Sequence, residues 1–468
     1  MHKHIFREYD IRGKVGTELV VSEVYPLMRA VAAYFLQEKP STKKVVVGFD
    51  GRTHSVAIKE EVCRALQESG LDVVCIGLCP TPVLYFALHT LPVDAGIMIT
   101  ASHNGPEYNG FKINLGTNSV WGKEIQVVRA LYEARVQHHA EIIGTYTDYP
   151  ITDAYIAWLV RHFSHLQGLA LPVVFDCANG AVGAVLPQLV KALGWKNAHI
   201  LYPEVDGTFP HHEADPIVEE NANDLRVAIA EQAAAYGIGF DGDGDRMAPV
   251  TGSGKLVAGD QLLVLYARDI VAHNQDASIV YDIKCSQIVA QLVTQAGGKA
   301  YVSPSGHSII KTGLRKHKAL LAGELSCHFF FADRYFGYDD GIYAALRLIE
   351  LVQRSQCTLD EMVAALPTTY TMPELRFSCA EEDKPLLVAA ARSYFSEKEF
   401  CEMTLLDGMR VDMGYGWGLI RASNTQPVIC IRCESDSPEG LRTIKHDFVQ
   451  ALSNQIDVRL LTQALGGE

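Results

Sequence analysis

Three carboxylates stand close together at Asp241, Asp243 and Asp245, and a guanidinium follows at Arg246. Glycines between the acidic residues let the backbone bend without side-chain clashes, so the three carboxylates can converge on one hard cation. Oxygen ligands of this kind suit Mg²⁺ and phosphate chemistry. An EF-hand loop is excluded, because its sixth and twelfth positions need Gly and Glu, where Arg246 and Gly252 stand. A purely structural acidic turn remains an alternative.

The glycines at 237, 239 and 242 also spell the G-x-G-x-x-G pattern of dinucleotide-binding loops. The residues that follow are acidic and would repel a pyrophosphate at that turn. The sequence therefore disfavours a dinucleotide site here.

A second polar segment, Thr100 to Gly105, contains Ser102, and Lys112 follows ten residues later. A serine at a strand end near a lysine can act as a nucleophile or a phosphate carrier, although a capping or turn serine is an alternative. A hydrolase triad is disfavoured, because the G-x-S-x-G elbow is absent and we expect His103 to point away from Ser102. An aspartyl phosphatase of the haloacid dehalogenase type is disfavoured too, since Asp245 stands where its D-x-D-x-[TV] pattern needs Thr or Val.

Length and composition indicate a globular protein of three or four domains, with 468 residues and 48% hydrophobic residues. The N-terminus lacks an apolar segment, and no apolar run approaches the ~18 residues of a membrane helix, so we expect a cytoplasmic protein without a membrane partner. The eleven cysteines are irregularly spaced, which favours reduced thiols. Cys430 and Cys433 form a C-x-x-C without a second ligand pair, which disfavours zinc.

The formal net charge of −14 disfavours a nucleic-acid partner, because binding a phosphate backbone requires a basic face. An anionic phosphate substrate would require basic residues to be concentrated locally at its site.

Hydrophobic periodicity predicts a β-α-β-α-β segment with a mainly parallel sheet near the N-terminus. The predicted strands and helices are 44–50, 55–68, 71–77, 80–89 and 94–100. The scheme recurs from Leu171, with a later strand at 237–241, and from Ser278, with a later strand at 319–323. In each repeat a polar segment follows a strand, at the edge where open α/β sheets bind ligands.

The last hundred residues differ from these repeats. Short strands at 409–413, 418–422 and 428–433 alternate with helices near 384–395 and 438–452, which indicates a smaller, largely antiparallel α+β domain. The predicted fold class is therefore α/β, with three related mixed-sheet α/β domains and a C-terminal α+β domain.

Five motifs occur in order along the chain: Phe6–Gly13, the Ser102 loop, the Asp241 loop, Gly323–His328 and Arg421–Pro427. In this order and spacing the chain resembles the α-D-phosphohexomutases, and most of all their bacterial phosphomannomutase/phosphoglucomutase branch. The resemblance covers essentially the whole chain. It implies four domains around a central cleft: 1–148 with the phosphoserine loop, 149–254 with the metal loop, 255–367 with the sugar-binding loop and 368–468 with the phosphate-binding loop.

The resemblance also implies a role for each site residue. Ser102 would be the phosphoserine and would share Mg²⁺ with Asp241, Asp243 and Asp245. Catalytic groups would be Ser102, Arg12, Lys112, Arg246 and His328, with His328 the leading candidate for the general base and Lys112 its competitor. Substrate contacts would come from Tyr9, Lys284, His307, Glu324, Ser326, Arg421, Ser423, Asn424 and Thr425. Glu324 and Ser326 would bind the 3- and 4-hydroxyls, so that glucose and mannose are both accepted.

The implied reaction interconverts hexose 1-phosphate and hexose 6-phosphate through a 1,6-bisphosphate, which also activates the enzyme. The phosphorylated hexose is the expected partner, and we expect a monomer or weak dimer. A mobile fourth domain, joined near Pro367 to Tyr370, would let the intermediate turn around. Phosphoglucosamine mutase and a non-catalytic Mg²⁺-dependent phosphosugar-binding protein are the alternatives.

Three residues depart from the family pattern. Gly105 replaces the first proline of S-H-N-P-P, Cys327 replaces a glycine, and Leu325 replaces a methionine. We expect Gly105 to loosen the Ser102 loop, because glycine has more backbone freedom.

Overall fold

The computed structural model describes residues 1–138, 140–170, 172–399, 401–423, 428–456 and 458–465. The chain packs as two compact units, one of residues 1–269 with 326–363 and the other of residues 270–325 with 364–468. Throughout the described ranges, no helix has both the length and the apolar character needed to cross a membrane.

The strands are numbered in chain order. They are β1 (Ile11–Lys14), β2 (Lys44–Phe49), β3 (Asp72–Leu78), β4 (Ala95–Ile99), β5 (Tyr108–Leu115), β6 (Asn118–Ser119), β7 (Tyr146–Asp148), β8 (Val173–Asp176), β9 (Ala198–Leu201), β10 (Tyr236–Phe240), β11 (Met247–Thr251), β12 (Ser278–Asp282), β13 (Lys299–Ser303), β14 (Leu321–Gly323), β15 (Phe329–Phe331), β16 (Tyr370–Thr371), β17 (Leu375–Ser378), β18 (Glu402–Thr404), β19 (Met409–Asp412), β20 (Gly416–Ala422) and β21 (Val428–Ser435).

The α-helices are numbered in the same way. They are α1 (Val24–Glu38), α2 (Ser55–Glu68), α3 (Thr81–Thr90), α4 (Lys123–Glu133), α5 (Thr152–His162), α6 (Leu186–Leu193), α7 (Asn223–Glu231), α8 (Gly259–His273), α9 (Ile288–Gln295), α10 (His307–Lys316), α11 (Gly341–Ser355), α12 (Leu359–Ala364), α13 (Lys384–Ser396), α14 (Pro438–Leu452) and α15 (Val458–Ala464). Short 3₁₀ helices lie at Lys3–Ile5, Val21–Glu23, Ser164–Leu166, Ala181–Ala184 and Glu220–Ala222.

Three segments repeat one β-α-β-α-β arrangement. In each segment the three strands are parallel, and the third strand pairs with the first. The strand orders are β4-β2-β3, β10-β8-β9 and β14-β12-β13. In the first unit, antiparallel strands β5 and β11 continue the first two sheets beyond β4 and β10. The prediction of three related mixed-sheet α/β segments is confirmed.

Most predicted elements are found within one or two residues of their expected ends. Helices α2 and α14 and strand β12 have the predicted bounds. The predicted strand 237–241 ends one residue earlier, at Phe240, so Asp241 is the first residue of the loop. The predicted start at Leu171 lies outside the described residues, and β8 is described from Val173.

Strand β2 lies in the middle of the first sheet, and its sequence explains this position. Its apolar run Val45, Val46 and Val47 is buried, as expected for a parallel strand covered by helices on both faces. Residues of α1, α2 and α4 pack with β2, β4 and β5 in one apolar core. This core holds the carboxyl ends of β2 and β4, from which polar loops leave the sheet.

The C-terminal segment of the second unit forms an antiparallel sheet in the order β16-β21-β20-β19-β18, with β17 also paired to β21. Helices α13 and α14 pack against this sheet. Ser437 begins α14 by accepting a hydrogen bond from Gly440 N at 3.2 Å, with Pro438 in the first turn. The predicted α+β segment is confirmed.

Candidate active site

The Ser102 loop leaves the carboxyl end of β4. Ser102 is buried, and its amide donates a hydrogen bond to Thr100 Oγ1 at 2.9 Å. Its φ is +53°, in the left-handed region that a serine seldom adopts. Such a conformation persists only where surrounding contacts hold it, which is common at functional sites.

The carboxylate loop after β10 lies directly against the Ser102 loop. Ser102 Oγ donates to Asp241 Oδ2 at 3.2 Å. A Cβ placed on Gly242 would come within 2.5 Å of Ser102 O, so only glycine allows the two backbones to approach this closely. Asp241, Asp243 and Asp245 each offer an oxygen within 4.8 Å of the others. The predicted convergence of the three carboxylates is confirmed.

The carboxylate loop fits a hard divalent cation. All of the converging atoms are oxygens, the donors that Mg²⁺ prefers. Asp243 Oδ1 is buried and makes no hydrogen bond to another described residue. A buried carboxylate oxygen without a partner is costly, and a cation would satisfy it.

Basic side chains surround these carboxylates. Lys112, from β5, contacts Asp243 Oδ2 at 2.7 Å and also pairs with Asp245 Oδ2. Arg246 Nε donates to Asp241 Oδ2 at 3.1 Å, and its Nη1 contacts Asp215 Oδ1 at 3.0 Å. Basic residues are therefore concentrated locally, as an anionic phosphate substrate would require in a chain of net charge −14.

The pKa values of Asp241 and Asp245 are shifted in opposite directions because their neighbours differ. Burial and the negative charge of Asp245 raise the pKa of Asp241 to about 8. Burial also opposes ionisation of Asp245, but the charges of Lys112 and His328 outweigh it and hold its pKa well below the usual range. Burial lowers the pKa of Lys112, yet Asp243 and Asp245 reverse this effect and raise it.

Arg12, on β1, also contacts the Ser102 loop. Its Nη1 donates to Asn104 Oδ1 at 2.6 Å, and its Nη2 pairs with Asp10. Tyr9 is half-buried and directly precedes Asp10. Of the predicted residues of the first motif, Arg12 therefore lies beside the loop that carries Ser102.

The prediction that His103 points away from Ser102 is wrong. His103 Nδ1 lies 3.1 Å from Ser102 Oγ. The expectation assumed an ordinary backbone, whereas the left-handed φ of Ser102 turns the adjacent side chain back toward the hydroxyl. His103 keeps part of its surface exposed, yet desolvation by the surrounding protein, followed by the positive charges of Arg246 and Arg12, holds its pKa well below the usual value.

The segment after Leu325 brings Ser326 and His328 beside the carboxylate loop. His328 Nδ1 lies 3.0 Å from Ser326 Oγ, and His328 Nε2 lies 3.4 Å from Asp245 Oδ1. Arg246 Nη1 is 3.4 Å from Ser326 O. The side chains of Ser326 and His328, two residues apart, therefore lie on the same side of this segment.

In the second unit, Lys284, His307 and Glu324 follow β12, β13 and β14 respectively. Lys284 Nζ lies 3.5 Å from Asp282 Oδ2, and Glu324 Oε1 accepts a hydrogen bond from Gly306 N at 2.8 Å. His307 is the first residue of α10, directly after Gly306. These three predicted contact residues therefore belong to the carboxyl edge of one sheet.

The phosphate-binding motif begins at the end of β20. Arg421 Nε lies 3.1 Å from Asp407 Oδ2, and Ser305 N is 3.4 Å from the same oxygen. Ser423 N donates to Val428 O, and Lys384 Nζ donates to Ser423 O at 2.8 Å. Asn424 and Thr425, predicted members of this motif, lie outside the described residues.

Sequence reasoning missed several residues that contact predicted site residues, or the loops that carry them, each within its own unit. They are Arg52, Thr81, Asp215, Asp407, Arg410 and Glu434. Thr81, at the start of α3, donates from Oγ1 to Asp243 Oδ2 at 2.6 Å. Arg52 could have been found, because Asp50 and Arg52 follow the end of β2 on the same sheet edge as the Ser102 loop.

Four family models match the chain in order. The models are those of the phosphoglucomutase/phosphomannomutase domains. Alpha/beta/alpha domain I matches residues 3–137, domain II matches 153–254, domain III matches 258–370 and the C-terminal domain matches 374–451.

Individual relatives agree with these matches. A phosphomannomutase/phosphoglucomutase of Pseudomonas aeruginosa is 39% identical over 95% of this chain and 94% of its own length. A phosphoglucomutase of Neisseria gonorrhoeae is 37% identical over 95% and 96%. A crystal structure of a phosphoglucomutase/phosphomannomutase family protein from Burkholderia thailandensis superposes with a TM-score of 0.88, at 34% identity over 97% of this chain and 98% of that one.

Proposed function

The chain belongs to the phosphoglucomutase/phosphomannomutase family and is a phosphohexomutase, and on that premise we propose that it transfers a phosphoryl group by way of Ser102. Phospho-Ser102 gives its phosphoryl group to the free hydroxyl of a hexose 1-phosphate. The bond from phosphorus to the serine oxygen breaks, and a bond to the sugar oxygen forms. The resulting hexose 1,6-bisphosphate turns around, rephosphorylates Ser102 and leaves as hexose 6-phosphate.

One observation carries this proposal. Ser102 Oγ and Arg246 Nε donate to the same atom, Asp241 Oδ2, at 3.2 and 3.1 Å. Arg246 Nη2 is buried and makes no hydrogen bond to another described residue. A phosphoryl group on Ser102 would supply oxygens for such a donor, and charge stabilisation of this kind dominates phosphoryl transfer.

Asp241, Asp243, Asp245 and phospho-Ser102 are the residues that would hold Mg²⁺. When bound, the ion supplies a Lewis acid that neutralises charge on the phosphoryl oxygens. Arg12, Lys112 and Arg246 contribute further positive charge around the same group. Lys112 also forms ion pairs with Asp243 and Asp245.

We assign the general base to His328. Ser326 Oγ lies close to one ring nitrogen and Asp245 to the other, which orients the imidazole. An oriented imidazole can accept the proton of the attacking sugar hydroxyl. Lys112 is the weaker candidate on geometry, because its ammonium contacts two carboxylates at once.

The remaining residues bind the substrate in this proposal. Glu324 and Ser326 bind the 3- and 4-hydroxyls, and Arg421 and Ser423 bind the phosphate that does not react, together with Asn424 and Thr425. Tyr9, Lys284 and His307 add contacts. Glucose and mannose differ only at the 2-hydroxyl, so a site anchored on the 3- and 4-hydroxyls accepts both sugars.

We further propose a cytoplasmic enzyme that is a monomer or a weak dimer, with hexose 1,6-bisphosphate as its activator. The net charge of −14 supports the expectation that nucleic acid is not a partner. The four domains of this proposal are residues 1–148, 149–254, 255–367 and 368–468.

The test compares turnover of mannose 1-phosphate, glucose 1-phosphate and glucosamine 1-phosphate, with Mg²⁺ and a trace of glucose 1,6-bisphosphate. We expect comparable turnover of the first two. Ser102→Ala should abolish turnover of all three while leaving the protein folded. A preference for glucosamine 1-phosphate would replace the proposed substrate, and full activity of Ser102→Ala would overturn the phosphoserine mechanism.

Intact-mass measurement checks the covalent step separately. Wild-type protein treated with glucose 1,6-bisphosphate should gain one phosphoryl group, and Ser102→Ala should gain none. Absence of phosphate on wild-type Ser102 would favour a non-catalytic phosphosugar-binding protein.

A further inference from the structure

Arg52 lies in the loop after β2, and its guanidinium is fully buried beside the Ser102 loop. Its side-chain Nη1 donates to Gly105 O at 2.6 Å and to Tyr108 O at 3.0 Å. Its Nη2 donates to Ser102 O at 2.8 Å and to Asn104 O at 2.5 Å. One side chain therefore holds four backbone carbonyls of the segment that carries the nucleophile.

The fifth N–H of this guanidinium is also used. Arg52 Nε donates to Asp50 Oδ2 at 3.1 Å, and Asp50 Oδ1 accepts from Ser55 Oγ at 2.8 Å. An arginine side chain has five N–H donors, so none is left for a phosphate oxygen. Arg52 therefore cannot bind substrate while these contacts last, unlike Arg12 or Arg246.

A contact from the following α/β segment covers the same guanidinium. The ring of Phe209 lies 5.3 Å from Arg52 Cζ. A cation over an aromatic face is favoured, the more so where water is excluded. Arg52 is thus fixed by Asp50 and by Phe209 and is rigid enough to impose a shape on the loop.

This shape includes the left-handed φ of +53° at Ser102. The family pattern places a proline where this chain has Gly105, and glycine alone would leave the loop more freedom. Gly105 O accepts the 2.6 Å hydrogen bond from Arg52. The residue that the sequence predicts to loosen the loop is thus one of the four that Arg52 holds.

We propose that Arg52 is a positioning residue that holds Ser102 in its reactive conformation and compensates for Gly105. This inference rests on the proposed role of Ser102. It predicts that loss of the Arg52 contacts slows phosphoryl transfer without weakening substrate binding, because a nucleophile displaced by ~1 Å can lose about 100-fold in rate.

The test is Arg52→Lys, which keeps the positive charge beside Asp50 but cannot reach four carbonyls with one ammonium. We expect kcat to fall about 100-fold and KM for glucose 1-phosphate to change less than about twofold. Phosphorylation of Ser102 by glucose 1,6-bisphosphate, followed by intact mass, should slow by a similar factor. The control is Arg64→Lys in α2, whose arginine pairs with Glu61 at the surface; it should match wild type.

A second substitution separates positioning from general destabilisation. Gly105 lies outside the left-handed region, and a Cβ there would meet only the flexible end of Glu107. Gly105→Pro should therefore restore part of the kcat lost in Arg52→Lys and change wild-type kcat little. Should Arg52→Lys not fold, Phe209→Leu carries the test, with a smaller fall of kcat, about threefold, at constant KM.

Wild-type kcat in Arg52→Lys would overturn the inference, and so would a rise in KM without a fall in kcat. If Arg52→Lys does not fold, an unchanged kcat in Phe209→Leu would overturn the inference. An inactive wild-type enzyme, or one never phosphorylated on Ser102, would instead overturn the proposed function.

Discussion

Lys112 Nζ lies 2.7 Å from Asp243 Oδ2, within the carboxylate loop that would hold a divalent cation. The same ammonium pairs with Asp245. The lysine would therefore neutralise the same carboxylates as a bound ion. Stability with and without Mg²⁺ can separate their contributions.

Lys112→Met should lower the thermal stability of the protein strongly in EDTA, because it removes the ammonium group that pairs with two buried carboxylates. Breaking a buried ion pair in this way costs about 3–5 kcal/mol. Mg²⁺ should raise the Tm of Lys112→Met more than that of wild type. Differential scanning fluorimetry with EDTA or Mg²⁺ measures both shifts.

The matched control is Lys39→Met, which removes a partly exposed pair with Asp94. Exposed pairs contribute about 0–1 kcal/mol, so its Tm should change little and its response to Mg²⁺ should equal that of wild type. Equal Mg²⁺ shifts in Lys112→Met and wild type would show that the lysine and the ion do not share a site.

Cys327 has a φ of +67° and is buried, at a position where the family pattern has glycine. A left-handed backbone costs a non-glycine residue about 1–2 kcal/mol. Cys327→Gly should therefore be more stable than Cys327→Ala by about 0.5–1 kcal/mol, after the greater unfolded-state entropy of glycine is subtracted. Urea unfolding of the two variants gives this difference, and both variants lack the thiol.

Cys63, in the middle of α2, provides the control for this comparison. It has the ordinary helical backbone of that element, so Cys63→Gly should be less stable than Cys63→Ala by about 1 kcal/mol. The same order at both cysteines would contradict the strain assigned to Cys327.

The sequence predicts the repeated α/β segments well because their strands are continuous apolar runs and their helices have clear ends. It predicts the convergence of Asp241, Asp243 and Asp245 because this depends on local spacing. It fails at His103, because the left-handed backbone of Ser102 is imposed by contacts distant in sequence, including those of Arg52. The carbonyls that Arg52 binds carry no side-chain signal, so only the folded chain reveals this role.

Asp340 caps α11 by accepting a hydrogen bond from Tyr343 N at 2.9 Å, and it also accepts from the hydroxyls of Tyr155 and Tyr335. Burial nevertheless raises its pKa to about 6. In the unfolded chain the pKa is about 3.9. The folded state therefore holds the proton more tightly, and this favourable contribution is complete below pH about 4 and is lost as the pH rises through about 6.

Asp340→Asn should remove this pH dependence while keeping an oxygen acceptor. The unfolding free energy of wild type, relative to Asp340→Asn, should fall by about 3 kcal/mol between pH about 4 and pH about 7. Urea unfolding across this range measures it. Asp206→Asn is the control. Hydrogen bonds from Thr208 lower the pKa of the exposed Asp206, so the unfolding free energy of wild type relative to Asp206→Asn should rise with pH instead of falling. A constant difference between wild type and Asp340→Asn would contradict the prediction.

Arg410, on β19, holds the loop that carries Lys284 in the second unit. Its Nη1 donates to Ile283 O at 2.6 Å and to Cys285 O at 2.8 Å, the carbonyls on either side of Lys284. Its guanidinium stacks on the indole ring of Trp417, with Arg410 Cζ 3.8 Å from the ring centroid. The C-terminal sheet is thereby attached to the loop after β12.

Glu434 adds a second attachment between the same two elements. Its Oε1 accepts from Ser286 Oγ at 2.7 Å and from Trp417 Nε1 at 2.9 Å. The mobility proposed for the fourth domain stays a prediction. A rotation of that domain about residues 367–370 alone would have to break the contacts of both Arg410 and Glu434.

Arg410→Ala should raise KM for glucose 1-phosphate by about tenfold, which is about 1.4 kcal/mol of binding, because the loop that presents Lys284 loses both hydrogen bonds. If Arg410 acts through Lys284, adding Arg410→Ala to Lys284→Ala should raise KM no further. Steady-state kinetics of the two single variants and the double variant measure this coupling. Arg442→Ala, which removes an exposed pair with Glu439, is the control and should match wild type. Additive increases in KM would show that Arg410 supports the site by a route independent of Lys284.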